Sequence, residues 1–249
     1  MLVVAIVAVV VNSPGWDRVK TSFFDFAIGW EALPAILEGL WLNVRVLAVA
    51  IVLVALFGSV LAVARTLRGP VFAPVRFVSA AYTDIFRGMP LLIVLYLVGF
   101  GLPGLRLFGR MPPEFWGTIA IVITYSAYVA EVLRAGIEAV HPAQRVAARS
   151  LGLTHNQTLR VVVMPQAIRK VTPALMNDFV SMQKDVGLIS VIGAIDGIRR
   201  AQFEVAQYAN FTPYVVAGLL FVALAWPFIR FTDHLAAKAR EREQIGGVV

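Results

Sequence analysis

The sequence contains no cysteine, which excludes disulfides and thiolate metal sites and leaves the compartment open. Charge is scarce: Asp, Glu, Lys and Arg make up 15% of 249 residues, against about 25% in soluble domains. No G-x-x-x-x-G-K-[ST] phosphate loop occurs, so the chain does not bind and hydrolyse ATP in that way. Neither H-E-x-x-H nor G-x-S-x-G is present, which argues against the commoner membrane hydrolases. There is no linker, low-complexity segment or internal repeat, and His141, His155 and His234 do not cluster in sequence.

What is present is apolar. Hydrophobic residues make up 59% of the chain and the mean hydropathy is +0.78, the departure a lipid-facing surface demands. In a membrane, this length allows about five or six spans of roughly 20 residues each. The net charge of +7 would suggest nucleic acid in a soluble protein. Here the basic residues lie between apolar stretches, so the positive-inside rule explains them and no nucleic-acid partner is expected.

Four stretches read as spans: Leu40 to Ala64, ending at Arg65 and Arg68; Phe77 to Leu102, interrupted by Arg87-Gly88-Met89-Pro90; Phe115 to Leu133; and Pro213 to Phe231. A weaker fifth, Pro165 to Gly193, carries Asn177, Asp178, Lys184 and Asp185. Basic segments at 65–76, 134–170 and after Phe228 alternate with less basic ones at 12–36, 103–114 and 194–212. Five spans place the basic segments and the C-terminus in the cytoplasm. Met1 to Val11 is apolar, but 11 residues of helix reach only about 17 Å, short of a ~30 Å core. It is either an extra span whose start lies upstream or a shallow anchor. The expected organisation is an N-terminal hydrophobic segment and external linker (1–32), a transmembrane domain (33–235) and a cytoplasmic tail (236–249).

The loop from about 138 to 165 is the most informative. Pro142 suits the first turn of a helix, where its missing N–H costs nothing. Ala143 to Leu151 are good helix formers, and Gly152 fits the left-handed position that ends a helix. Thr154 and Gln157 form a capping box for the next helix. The result is a basic helical hairpin, suited either to docking a soluble protein or to serving as an ordinary amphipathic connector.

Ionisable groups inside a span cost about 2.5–3.5 kcal/mol on insertion scales and are functional suspects. Asp178 and Asp185 are seven apart, on one helix face, with Ser181 near that face. Asn177 and Lys184 form a second ridge about 100° around. One reading is a pocket for a zwitterion, Lys184 meeting a carboxylate and Asp185 or Asp178 an ammonium. The other is internal neutralisation that only fixes packing. At Arg87-Gly88-Met89-Pro90, Pro90 cannot donate an N–H, and transporters place substrate at such broken helices. Arg87 then binds an anionic group or holds an acid such as Asp185, or else the site is a kink with a structural ion pair. The tryptophans fit interfacial belts, and Glu131 and Arg134 pair or meet water.

Three motifs resemble those of ATP-binding-cassette (ABC) importer permeases. The hairpin resembles the pattern E-A-A-x-x-x-G-x9-I-x-L-P through Val146-Ala147-Ala148, Gly152, Val162, Met164 and Pro165. Val146 replaces the glutamate, and Met164 stands where leucine is usual. Phe86-Arg87-Gly88-Met89-Pro90-Leu91-Leu92 resembles the F-R-G-x-P-L-L motif of polar amino-acid permeases. Asn177 to Gly193 resembles that group's N-E-x-x-x-x-x-K-D-x-x-L-x-S-V-I-G segment, with Asp178 at the usual glutamate.

The resemblance covers about residues 35–235. It implies an all-α membrane protein with five core transmembrane helices, the type I ABC importer permease fold, and a cytoplasmic coupling helix. Pro142, Ala147, Ala148, Arg149, Gly152 and Leu153 would then meet an ATPase. Asp178, Ser181, Lys184, Asp185, Arg87, Met89 and Pro90 are the candidate substrate contacts. The implied partners are two copies of an ATP-binding subunit, a second permease chain (identical or related), an extracytoplasmic amino-acid-binding protein and membrane lipids, in a bacterial inner membrane. No cofactor is expected in this chain, with ATP and Mg on the ATPase. The substrate leans to glutamate, glutamine or aspartate, although Asp178 would suit a cationic head equally. The rival is a secondary transporter driven by an ion gradient, against which stand the few spans, the absent inverted repeat and the Gly152 loop.

Overall fold

The computed structural model describes residues 1–67, 69–107 and 109–246. Arg68, expected to close the first span, lies outside them, as do the side chains of Lys238, Arg240 and Arg242 in the tail. Among the described residues the fold is helical throughout, without strands.

Helices α1 (Leu2–Val11) and α2 (Trp16–Phe23) precede α3 (Phe26–Thr66). With 41 residues, α3 is about 61 Å long, far beyond the ~30 Å of a bilayer core. It starts 14 residues before the expected Leu40 and passes position 33 without a break, so the 12–36 segment is mostly helix rather than loop. Asp25 starts it, its carboxylate accepting from the N–H groups of Ala27 and Ile28.

Next come α4 (Ala73–Gly88) and α5 (Leu91–Tyr96), the latter continuing through a π turn (Leu97–Gly101) to Gly104. The two limbs meet at Met89-Pro90 with a bend of 106°. The interruption falls where the sequence placed it, but the expected Phe77–Leu102 segment is two limbs at a steep angle rather than one kinked rod.

Helix α6 (Pro113–Glu138) lies against α3 along its length, and α7 (Pro142–Ser150) forms the hairpin. Helix α8 (Met164–Asp185) follows and ends in a 3-10 stretch, Val186–Ile192. Helix α9 (Gly197–Tyr208) occupies the segment expected as a 194–212 loop, and α10 (Thr212–Gly246) closes the fold. By length and apolarity Trp16–Thr66, Pro113–Glu138 and Thr212–Leu235 can cross a membrane, and the bent pair makes a fourth. At 22 residues α8 is about 33 Å long. Its charges keep it from being apolar enough, and it packs against α6 and α10, so its polar groups have protein neighbours.

The main core joins α3, α5, α6 and the 3-10 stretch through Val54, Leu95, Ile121 and Ile189. A second cluster ties α3 to α9 and α10 through Ile36, Ala201 and Ala217. Here α9 comes so close that a Cβ on Gly39 would lie 2.5 Å from the Asp196 carbonyl. Asp196 is fully buried. It caps α9 by accepting from the Arg199 N–H and accepts from Asn43 Nδ2 at 3.0 Å, while the Gly197 N–H donates to Asn43 Oδ1.

Candidate functional site

Two features stand apart from the packing: a basic hairpin at one end of the bundle and a polar cavity within it. The hairpin is built as its residues dictate. Pro142 opens α7, and His141 Nδ1 accepts from the Ala143 N–H. Gly152 has φ +83°, a left-handed backbone that a side chain resists. Thr154 and Gln157 cap each other reciprocally. A π turn, Thr158–Val163, then leads into α8.

The basic residues are partly explained by carbonyls at the end of α6. Arg145 donates to the Ile137 carbonyl and Lys170 Nζ to that of Ala139, groups that a helix end leaves without partners. Arg149 turns back to the Leu153 carbonyl at 3.0 Å. Ala148 is buried and Ala147 exposed. What faces outward is Val146, 65% exposed, and Leu151, 82% exposed.

The cavity, about 300 Å³, is lined by Leu91, Thr124, Tyr125, Tyr128, Asp178, Ser181 and Asp185. Tyr125 donates its hydroxyl to Asp185 at 2.7 Å. One Asp178 oxygen and the Thr124 hydroxyl are buried without a hydrogen-bond partner, an arrangement that costs about 1–3 kcal/mol per group and leaves donors and acceptors for a guest. Two larger hollows, about 600 and 470 Å³, have mainly apolar walls, and the smaller shares Tyr125 and Asp178 with the polar cavity.

Asp178, Ser181 and Asp185 thus come together as the spacing required. Lys184 does not join them: it is exposed, off the cavity wall, and makes no ion pair among the described residues. A helix that turns two acids inward carries the residue beside them to another face. Met89 packs half-buried against the main core, and Pro90 is exposed at the bend. Arg87 lies near Glu131, with Nη1 to Oε1 at 3.8 Å, rather than holding Asp185.

Sequence reasoning missed Thr124, Tyr125 and Tyr128, and gave Glu131 too small a part. Glu131 binds Arg65 at 2.6 Å as well as Arg134. The signal was available: Thr124, Tyr128 and Glu131, spaced by four and three, mark one polar stripe on an otherwise apolar helix.

A bundle of long helices, with a small acidic cavity walled by α5, α6 and α8 and a helical hairpin at one end, defines a membrane transport component. Residues 56–241 match the family described as binding-protein-dependent transport system inner membrane component, and the chain belongs to that family. The arginine transport system permease protein ArtQ of Bacillus subtilis (strain 168) is 34% identical over 202 residues, 80% of this chain and 90% of that protein. The glutamate/aspartate import permease protein GltK of Escherichia coli O157:H7 is 31% identical over 209 residues, 78% and 92% of the two chains. A crystal structure of an amino acid ABC transporter with histidines superposes with a TM-score of 0.78 at 34% identity, covering 87% of this chain and 98% of that one. The fold is the type I importer permease fold.

Proposed function

We propose that this chain is one permease subunit of an ATP-driven importer that carries a polar amino acid into the cell. The observation that carries the reading is the continuity of α8. The helix rises out of the hairpin through the π turn, and 14 residues beyond Met164 it presents Asp178 to the cavity. That distance is about 21 Å of helix. A push on the hairpin therefore reaches the cavity wall through one element.

In this reading the hairpin is cytoplasmic, together with the C-terminus, and docks an ATP-binding subunit that supplies ATP and Mg. One such subunit serves each of two permease chains, because five helices are too few to enclose a path. A binding protein delivers substrate at the opposite face. Asp178 and Asp185 hold the ammonium common to all amino acids, with Ser181, Thr124 and Tyr128 hydrogen-bonding the rest. Glutamate, glutamine and aspartate are the first substrates to assay, with arginine beside them, given what the relatives carry.

Uptake of labelled amino acids into proteoliposomes holding the complex, with and without ATP inside, tests this. Uptake only with ATP supports it. Uptake driven by an ion gradient alone would replace it with a secondary transporter.

A further inference from the structure

The polar cavity holds two carboxylates and no base. Asp178 and Asp185 both lie on its wall, and none of the other five lining residues is Lys, Arg or His. Neither acid is in an ion pair among the described residues. The cations closest in sequence or along α6 are placed elsewhere. Lys184 is exposed and off the wall, and Arg65, Arg87 and Arg134 gather on Glu131. Tyr125 donates to Asp185 at 2.7 Å, but a phenol brings no positive charge. Two carboxylates in one space of about 300 Å³ disfavour each other's ionised form, so a guest with two cationic groups gains most by entering.

The rest of the wall suits such a guest. The rings of Tyr125 and Tyr128, with centroids 5.8 Å apart, stand beside the acids, and aromatic faces attract cations. The Thr124 hydroxyl is fully buried on the same wall with no hydrogen-bond partner, which leaves a neutral donor for one carboxylate. Asp178 differs from Asp185 in a further respect. It also borders the apolar hollow of about 470 Å³, beside Phe179 and Met182, and Asp185 does not. A side chain that reaches Asp178 therefore has an apolar wall along which to lie.

We propose that the cavity selects a cationic amino acid, Asp185 taking the α-ammonium and Asp178 the cation at the end of an aliphatic side chain. This rests on the importer reading above, and it makes Asp178 the specificity-determining residue. Every amino acid brings one ammonium and one carboxylate, and lysine and arginine add a second cation. Either of them pairs both acids. Glutamine leaves Asp178 without a cation, a costly state for a charge away from water. Glutamate adds a further carboxylate beside it, and like charges set together in a site repel its occupant. The order of preference is arginine and lysine, then glutamine, then glutamate.

The test uses the complex of this chain with its partner permease and ATPase in nanodiscs, without the binding protein, whose own selectivity then does not enter. Binding of radiolabelled L-arginine is displaced with L-lysine, L-glutamine and L-glutamate. Lysine is expected to compete about as well as arginine, and glutamine and glutamate to need at least about tenfold more, the effect of about 1.4 kcal/mol. Asp178→Asn is expected to bring the arginine-to-glutamine ratio to about 1. Equal competition by all of them, glutamate as the strongest competitor, or an arginine preference that survives Asp178→Asn would each overturn the proposal. If Asp178→Asn does not assemble, Asp178→Glu decides: the charge is kept, so a retained preference for arginine supports the proposal and a lost one overturns it. ATP-dependent uptake by the same complex with its binding protein, measured alongside, tests the importer reading by itself. Uptake that needs ATP without the arginine preference overturns the selectivity alone, and uptake indifferent to ATP overturns both.

Discussion

Asp178 and Asp185 are the same residue type on the same helix face, yet they meet different surroundings. Asp185 accepts a short hydrogen bond from Tyr125, whereas Asp178 keeps an oxygen without a partner. Tyr125→Phe removes the neutral donor and is expected to cost about 1.5–3 kcal/mol, the range for bonds to charged groups, seen as a lower melting temperature in detergent. Asp185→Asn is expected to cut uptake at least about tenfold, the effect of losing about 1.4 kcal/mol or more of substrate interaction, at normal expression. Unchanged uptake in Asp185→Asn would remove that side chain from the site. A different case is Asp196, buried between α3 and α9. Asp196→Ala loses a helix cap and the Asn43 bond, and about 2–4 kcal/mol of stability is expected to go with them. A thermal-unfolding midpoint equal to wild type would contradict this.

At the scale of the element, the hairpin was legible and its neighbours were not, for a physical reason. Pro142, Gly152 and the Thr154–Gln157 box act on backbone within three residues of themselves, so sequence spacing is enough to place them. Arg134 lies within reach of Glu131 along its own helix, but Arg65, the other partner of Glu131, and Asn43, which donates to Asp196, lie 66 and 153 residues away, and no local pattern announces them. From sequence α3 reads as a span only from Leu40, because Trp30, Glu31 and Glu38 make its first turns resemble a polar linker. Helix α9 was missed because its 12 residues are amphipathic rather than apolar. The cavity was half legible: its α8 wall followed from a seven-residue spacing, and its α6 wall hid inside a hydrophobic run. Gly152→Val is the prediction that belongs here. It forces a β-branched residue into φ +83°, at roughly 1–2 kcal/mol of strain. The chain should still insert and fold, while ATP-driven uptake is lost. Normal uptake would show that the turn is not needed for coupling.

Taken whole, the molecule has a polar cavity inside and a basic hairpin at one end, and leaves Val52, Leu56, Leu219 and Val222 on long exposed apolar faces. Surface of that kind is stable against lipid or another chain and not against water. The chain has no phosphate loop of its own, and in the importer account the energy for transport enters through the hairpin. The central claim is therefore a claim about company. The most direct measurement is to tag this chain, solubilise it from its native membrane, and assay whatever purifies with it for ATP hydrolysis and by mass spectrometry. The importer account predicts a Walker-motif ATPase in the preparation, with hydrolysis stimulated by an amino-acid-loaded binding protein. A folded chain that arrives alone and transports without ATP would contradict it.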